Sequence, residues 1–242
     1  MQYDGSIQSP LLGIEKGSGL SLEEALDGVF TCRRCRLSTT RTNVVPGEGK
    51  THARVMLIGE APGKNEDLQG RPFVGAAGKL LDQLLVDSGL TRSDIYIANI
   101  LKCRPPKNRD PRPEEIETCT PWLVAQIESV FPHVIVTMGN FSTRFILGTT
   151  RGISSLRGTV HQVGPFSVVP TFHPAAAIYD RNKVPVLQRD FARIAELIKM
   201  QQEHDARKAD APEEAEAPAE TAGDGQSGSD EGEQMQWNFG IS

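Results

Sequence analysis

Four short apolar runs, alternating with stretches of helical spacing, constrain this chain more than any other feature. The runs are Arg54–Gly59, Ile95–Leu101, Val134–Met138 and Ser167–Thr171. Between the first two, Gly78–Ser88 sets Leu80, Leu81, Leu84 and Leu85 at helical spacing. Pro113–Val130 opens on a proline and carries Ile116, Leu123 and Ile127 on one side. A short helix near Phe141–Leu147 and a longer one over Pro185–Gln201, with Leu187, Phe191 and Ile194 inward, complete the alternation. Runs apolar at nearly every position suit strands buried on both faces, and amphipathic helices are what cover them. The pattern predicts an α/β fold, a three-layer αβα sandwich around a mostly parallel central sheet. Ligands of such sheets sit outside the carboxyl ends of the strands. Chemistry is therefore sought in the loops at Glu60, Lys102 and Phe172.

Charge divides the chain where the periodicity stops. Residues 201–242 carry eleven acids and two bases, −9, whereas the first 200 hold 24 bases against 20 acids, +4; the net charge of −5 describes neither part. From about Glu203 the composition turns to Ala, Glu, Pro, Gly and Ser, which cannot offset ordering entropy by burial. Three segments are expected: a flexible lead-in over 1–20, one folded domain over 21–202, and an acidic disordered tail with an apolar tip over 203–242. The domain opens on Ser21, an N-cap for a short helix running towards Phe30. No run approaches the length of a membrane span, and the N-terminus lacks a basic and an apolar signal region, so the cytoplasm is the expected compartment.

A reducing compartment disfavours structural disulfides, so four cysteines need another account. Cys32 and Cys35 form a Cys-x2-Cys pair; Cys103 and Cys119 are separated by fifteen intervening residues. Buried apolar cysteines, a redox pair, structural zinc and an iron–sulfur cluster all remain open. Zinc ribbons usually present a second Cys-x2-Cys knuckle. The wide second spacing fits a cubane cluster better, although it differs from the ferredoxin runs.

The first strand runs into Gly59-Glu60-Ala61-Pro62-Gly63. A phosphate loop needs Gly-x4-Gly-Lys-[Ser/Thr], and both Gly63-Lys64-Asn65 and Gly78-Lys79-Leu80 fail it. What remains is an acid directly after a strand, backbone amides made approachable by glycine, and Phe73 between Pro72 and Val74. The ordinary alternative is a tight turn with a solvated Glu60 and a core Phe73. Asn99 is an amide inside an apolar run, either satisfied by neighbouring backbone or aimed at a ligand. His173, at the end of the fourth strand and followed by Pro174, is either structural or placed to polarise a bound group.

Together these segments resemble the iron–sulfur uracil-DNA glycosylases called family 4, over about residues 22–200. The resemblance is carried by the Cys-x2-Cys pair, Pro46-Gly47-Glu48-Gly49, the Gly59–Gly63 loop and Gly70-Arg71-Pro72-Phe73-Val74-Gly75. Asn99 through Lys102-Cys103-Arg104-Pro105-Pro106 and His173-Pro174-Ala175 complete it. Family 5 relatives usually lack an acid at the position of Glu60, which favours family 4.

The resemblance implies a monofunctional repair glycosylase that flips uracil out of DNA and hydrolyses its N-glycosidic bond. Phe73 would stack on the base and Asn99 would read its Watson–Crick edge. Glu66 would close the space beside C5, and His173 with backbone amides around Ala61 would stabilise the departing base. Glu60 would position water and favour the oxocarbenium-like sugar. Cys32, Cys35, Cys103 and Cys119 would hold a structural [4Fe-4S] cluster, pinning segments whose bases, among them Arg33, Arg34, Arg36, Lys102, Arg104, Lys107 and Arg109, meet phosphate. The loop Ala176–Tyr179 would enter the DNA stack, with Arg181 on phosphate. The enzyme would act as a monomer on double- or single-stranded DNA. The tail would serve solubility, or its tip, Gln234–Ser242, would dock on a sliding clamp or another repair partner. Two rivals are a same-superfamily glycosylase preferring hypoxanthine or xanthine, and a non-catalytic, metal-containing DNA-binding module.

Overall fold

The computed structural model describes residues 8–17 and 19–209. Its six strands are β1 (Glu48–Gly49), β2 (Val55–Gly59), β3 (Ile95–Asn99), β4 (Val134–Met138), β5 (His161–Val163) and β6 (Phe166–Thr171). They form one sheet in the order β1-β3-β2-β4-β6-β5. The four inner strands are parallel, and the two short outer ones pair antiparallel to β3 and β6. Every residue of β2, β3 and β4 is buried, as their predominantly apolar composition favours, with Asn99 and Thr137 the polar members.

Alternation along the strands sorts these side chains onto two faces. Met56 and Ile58 point to one core, shared with Val29 of α1 (Leu22–Thr31) and with Leu123 and Ile127 of α4 (Pro113–Val130). Val55 and Leu57 point to the other. That core is shared with Leu81, Leu84 and Leu85 of α3 (Ala76–Asp87) and with Leu187, Phe191 and Ile194 of α8 (Val184–Ala209). The αβα layering is therefore as expected. Smaller helices fill the loops: α2 (Lys64–Gln69), α5 (Asn140–Leu147), α6 (Ile153–Leu156) and α7 (Pro174–Tyr179). Ser21 caps α1 with its side chain, and Glu24 closes the box on the Ser21 N–H.

Three boundaries differ from expectation. Part of the lead-in is packed rather than loose: Leu11 is 0% exposed, and Ser9 Oγ donates to the Ile146 carbonyl at 2.5 Å. Helix α8 runs to Ala209, past the boundary set at 202. The segment Ala176–Tyr179, read as a loop, is helical, because Pro174 sits in the first turn and His173 caps it. Expectations for residues 210–242, including the tip Gln234–Ser242, fall outside the described residues. Among the described residues, no helix is long and apolar enough to cross a membrane.

Strand register sets the floor of the site. Gly59 pairs with Asn99, and Met138 with Thr171, so the carboxyl ends of the inner strands lie level. Glu60, Asn99 and His173 all emerge at that edge.

Candidate active site

A cleft of about 350 Å³ opens at this edge. Glu60, Ala61, Glu66, Phe73, Asn99 and His173 all line it, so the structure brings together every side chain singled out for base binding and catalysis. Pro105, Asn108 and Arg109 close one side.

Phe73 is 6% exposed and holds a left-handed backbone, φ 53°, which a residue with a bulky side chain adopts only under constraint. Two features impose it. Gly78 approaches so closely that a Cβ there would overlap the Phe73 carbonyl. Arg92 donates from Nη2 to the same carbonyl oxygen and from Nη1 to the Pro72 carbonyl at 3.2 Å, while Glu48 Oε1 holds Nη1 at 2.6 Å. The ring so placed stacks with His173, centroids 5.4 Å apart and planes 25° from parallel.

Asn99, the last residue of β3, is 3% exposed, and its Oδ1 has no hydrogen-bond partner. Its alternative role, an amide satisfied by neighbouring backbone, is thus not met at this atom. Gly59 makes room beneath it: a Cβ there would lie 2.3 Å from Asn99 Oδ1 and 2.9 Å from Phe73 Cζ. Glu66 accepts the N–H groups of Val74 and Gly75, both at 2.9 Å, tying α2 to the loop that carries Phe73. A Cβ at Gly63 would lie 2.7 Å from Glu66 Oε2, so that loop also needs its glycine.

His173 accepts the Ala175 N–H at Nδ1, 3.1 Å. The ring proton therefore sits on Nε2. Removal from bulk water pushes its pKa down to about 4, against the attraction of Glu66, so the imidazole is neutral at physiological pH. Glu60 moves the other way. Burial, helped by repulsion from Asp110, pushes its carboxyl up to about 7. Its main chain is fixed to the chain leaving β3: Leu101 N–H donates to the Glu60 carbonyl at 3.0 Å. A neutral donor stacked on an aromatic platform and an acid poised near neutrality in the same cleft suit cleavage of a bond that expels an anion and leaves a cationic centre.

The four cysteines are unpaired and line one second cavity, with Val29, Val44 and Trp122 among its walls. Arg41 Nη1 approaches Cys103 Sγ at 3.0 Å, and the Lys102 N–H approaches Cys119 Sγ at 3.3 Å. Burial pushes the Cys119 thiol up to about 11 and the Cys103 thiol upward, so a cationic partner is needed to ionise them. No group of three or more His, Cys, Asp or Glu side chains among the described residues is arranged to hold a single metal ion.

The uracil DNA glycosylase superfamily model matches residues 46–199. The chain is 46% identical over 187 residues to the type-4 uracil-DNA glycosylase of Archaeoglobus fulgidus, covering 73% of this chain and 93% of that protein. It is 46% identical over 186 residues to the type-4 enzyme of Sulfurisphaera tokodaii, covering 73% and 84%. This chain belongs to the type-4 uracil-DNA glycosylases. Against the type-5 uracil-DNA glycosylase of Pyrobaculum aerophilum, identity drops to 30% over 198 residues, covering 68% and 87%. The preference for family 4 drawn from Glu60 agrees with that difference.

In this type-4 family member the expected phosphate-facing bases separate into two groups. Lys102 is 1% exposed, and Arg109 is engaged by Glu115 at 2.5 and 2.8 Å, so neither is a free phosphate contact. A formal charge in the sequence carries no record of a partner six or 24 residues away. Arg104 holds Asn108 Oδ1 at 2.7 Å, with Lys107 exposed between them, and Arg181 is exposed after α7. Ile178 and Tyr179 at the end of α7 are 45% and 91% exposed. Arg92, and the close approaches that Gly59 and Gly78 allow beside Asn99 and Phe73, escaped the sequence reading. The two glycines carry no motif beyond their neighbours, and nothing near Arg92 in sequence points to Phe73.

Proposed function

We infer that this chain is a DNA-repair glycosylase that excises uracil from DNA, a hydrolase acting on N-glycosyl bonds. The observation that carries the residue roles is Asn99 Oδ1, buried without a partner above Gly59 and beside the Phe73–His173 stack. A flipped uracil placed on Phe73 offers N3–H to that oxygen and O4 to the Asn99 amide. Cytosine presents an acceptor at N3 and a donor at N4, so the same amide is mispaired twice, at ~1–3 kcal/mol per buried group. Glu66, fixed by two main-chain donors, walls the space beside C5 against the thymine methyl.

Bond cleavage places negative charge on uracil O2 and positive charge on the sugar. The His173 Nε2–H donates to O2 from a neutral ring, with the Ala61 amide beside it; losing one such preorganised donor costs ~10²–10³ in rate. Glu60, as the carboxylate, orients water and stabilises the sugar cation. The cleft lining carries no lysine, which supports hydrolysis without a Schiff base. Half-buried Arg104 and exposed Lys107 and Arg181 face phosphate, and Tyr179 at the tip of α7 fills the gap left by the flipped nucleotide.

Cys32, Cys35, Cys103 and Cys119 would hold a [4Fe-4S] cluster. The fit rests on four thiols around one cavity and N–H donors at two of the sulfurs. When bound, such a cluster supplies cross-links between distant segments rather than a step of the reaction.

The test is a gel assay on oligonucleotides containing uracil, hypoxanthine or xanthine. Wild type is expected to cleave the uracil strand after alkali, with Glu60→Ala and Asn99→Ala each reduced ~10²-fold or more. Cleavage confined to hypoxanthine or xanthine would refute the base assignment, and a fully active Asn99→Ala would refute the reader.

A further inference from the structure

Lys102 is buried, and no step of the reaction uses it. An ammonium taken out of water costs several kcal/mol unless its protons find acceptors. Here Nζ donates to the main-chain oxygen of Asn99 at 2.9 Å and to Gln126 Oε1 at 2.6 Å. Gln126, 0% exposed, is itself oriented: its Nε2 donates to the Pro46 carbonyl at 2.7 Å and to Tyr96 Oη at 3.3 Å. Its oxygen is therefore turned to the lysine and cannot exchange places with the amide nitrogen without breaking both bonds.

The backbone of Lys102 faces the other site. Its N–H donates to Cys119 Sγ at 3.3 Å, its carbonyl accepts the Val45 N–H at 2.8 Å, and the next residue is Cys103. Between Asn99 and Lys102 there is no slack. Ile100 and Leu101 are 0% exposed and bond back to the Gly59 and Glu60 carbonyls at 3.1 and 3.0 Å. One residue thus grips the main chain of the base reader with its side chain and the cysteine cavity with its backbone.

Resting on the reading of Asn99 as the uracil reader, we propose that Lys102, braced by Gln126, is the positioning residue that holds Asn99 in register for uracil and couples the cysteine centre to base recognition. The pair acts on binding of the base, not on the reacting atoms. Both acceptors of the ammonium are neutral. Cysteine sulfurs held as thiolates by a cluster would supply the missing counter-charge from Cys103 and Cys119.

The test uses the full-length, cluster-loaded protein and compares wild type, Lys102→Met, Asn99→Ala and their combination. A second variant, Lys102→Met/Gln126→Leu, replaces the lysine and its acceptor by apolar side chains and carries the test where the single change fails to fold. Visible absorption reports loading, thermal melting reports stability, and calorimetry with free uracil reports recognition per loaded molecule. Lys102→Met is expected to keep the visible band, bind uracil at least about tenfold more weakly, and add no further loss in the Asn99→Ala background. Uracil affinity within about twofold of wild type in a loaded lysine variant, with Asn99→Ala still impaired, overturns the coupling alone. The coupling is equally overturned if the two losses simply add, or if only the melting temperature moves. An unimpaired Asn99→Ala overturns the underlying reading, and the coupling with it.

Discussion

Adding a single methyl group at Gly59 separates function from stability in this site. A Cβ there would lie 2.3 Å from Asn99 Oδ1, and 2.9 and 3.1 Å from Phe73 Cζ and Cε2. An ordinary carbon–oxygen approach needs roughly 3.3 Å, so Oδ1 must retreat by about 1 Å. The obstructing atoms are the outer ends of side chains with an open cleft beside them, and the strand backbone is not asked to move. The cost to folding should therefore stay near the low end of the range of about 1–3 kcal/mol for overpacking. That corresponds to a melting shift of about 2–4 °C in a protein of this size. Catalysis is less forgiving: misplacing a recognition group by about 1 Å costs on the order of 10²-fold. Gly59→Ala is expected to lower kcat/KM on a single-stranded uracil oligonucleotide by about 10²-fold while remaining folded. Gly78→Ala is the contrasting control, because its methyl would overlap the backbone carbonyl of Phe73, which cannot swing aside. It should melt markedly lower than Gly59→Ala. Wild-type kcat/KM in folded Gly59→Ala would refute the reasoning, as would a loss that merely follows the unfolded fraction.

With Glu60 in its proposed role as the carboxylate and its pKa pushed up to about 7, kcat/KM should fall as pH drops through about 7. Asp110→Asn removes a charge that raises this pKa and should move that limb to lower pH, while His173, near 4, adds none in the neutral range. The same shift acts on stability. The folded pKa lies above the ordinary value of 4.5, so this group's contribution is greatest below that value and is lost as pH rises through about 7. Glu60→Gln should accordingly melt higher than wild type at mildly alkaline pH, with the gain shrinking towards pH 5, as scanning calorimetry would record. Tyr179→Ala should slow excision from duplexes much more than from single strands; equal slowing on both would count against a wedge at the tip of α7. Cys35→Ser should abolish the visible absorption and lower the melting temperature, and an unchanged spectrum would rule out the cluster assignment.

The strands buried on both faces were legible because burial on two sides leaves a nearly continuous apolar run, as in Val55–Gly59 and in Val134–Met138, broken there at Thr137 alone. Helix α4 was legible to both ends: Pro113 suits a first turn, and the apolar spacing runs to Val130. The edge strands were not, since Glu48–Gly49 and His161–Val163 owe their pairing to Tyr96, Ile97 and residues 166–168 opposite rather than to their own composition. Helices α2, α6 and α7 span four to six residues, too few to display a period. Glu60, Asn99 and His173 stood out through chemistry placed at strand ends. What each does with its atoms did not: the orphaned Oδ1 and the Nε2 proton depend on neighbours brought together only by the fold. Lys102 was misplaced for the same reason, its partner Gln126 lying on α4, 24 residues away.

The burial of Leu11 bears on how much chain this enzyme needs. The superfamily match begins at residue 46, after Cys32, Cys35, all of α1 and the segment that Ser9 fastens to the Ile146 carbonyl. Leu11 closes the apolar layer beneath Phe166 and Val168, and its own carbonyl leaves little room above Gly164 in the turn joining β5 to β6. The stretch that the superfamily model matches is thus shorter than the stretch that cohesion requires. A gene fragment trimmed to that match would encode the catalytic vocabulary while omitting two of the four cysteines and the clasp that seals one face of the sheet.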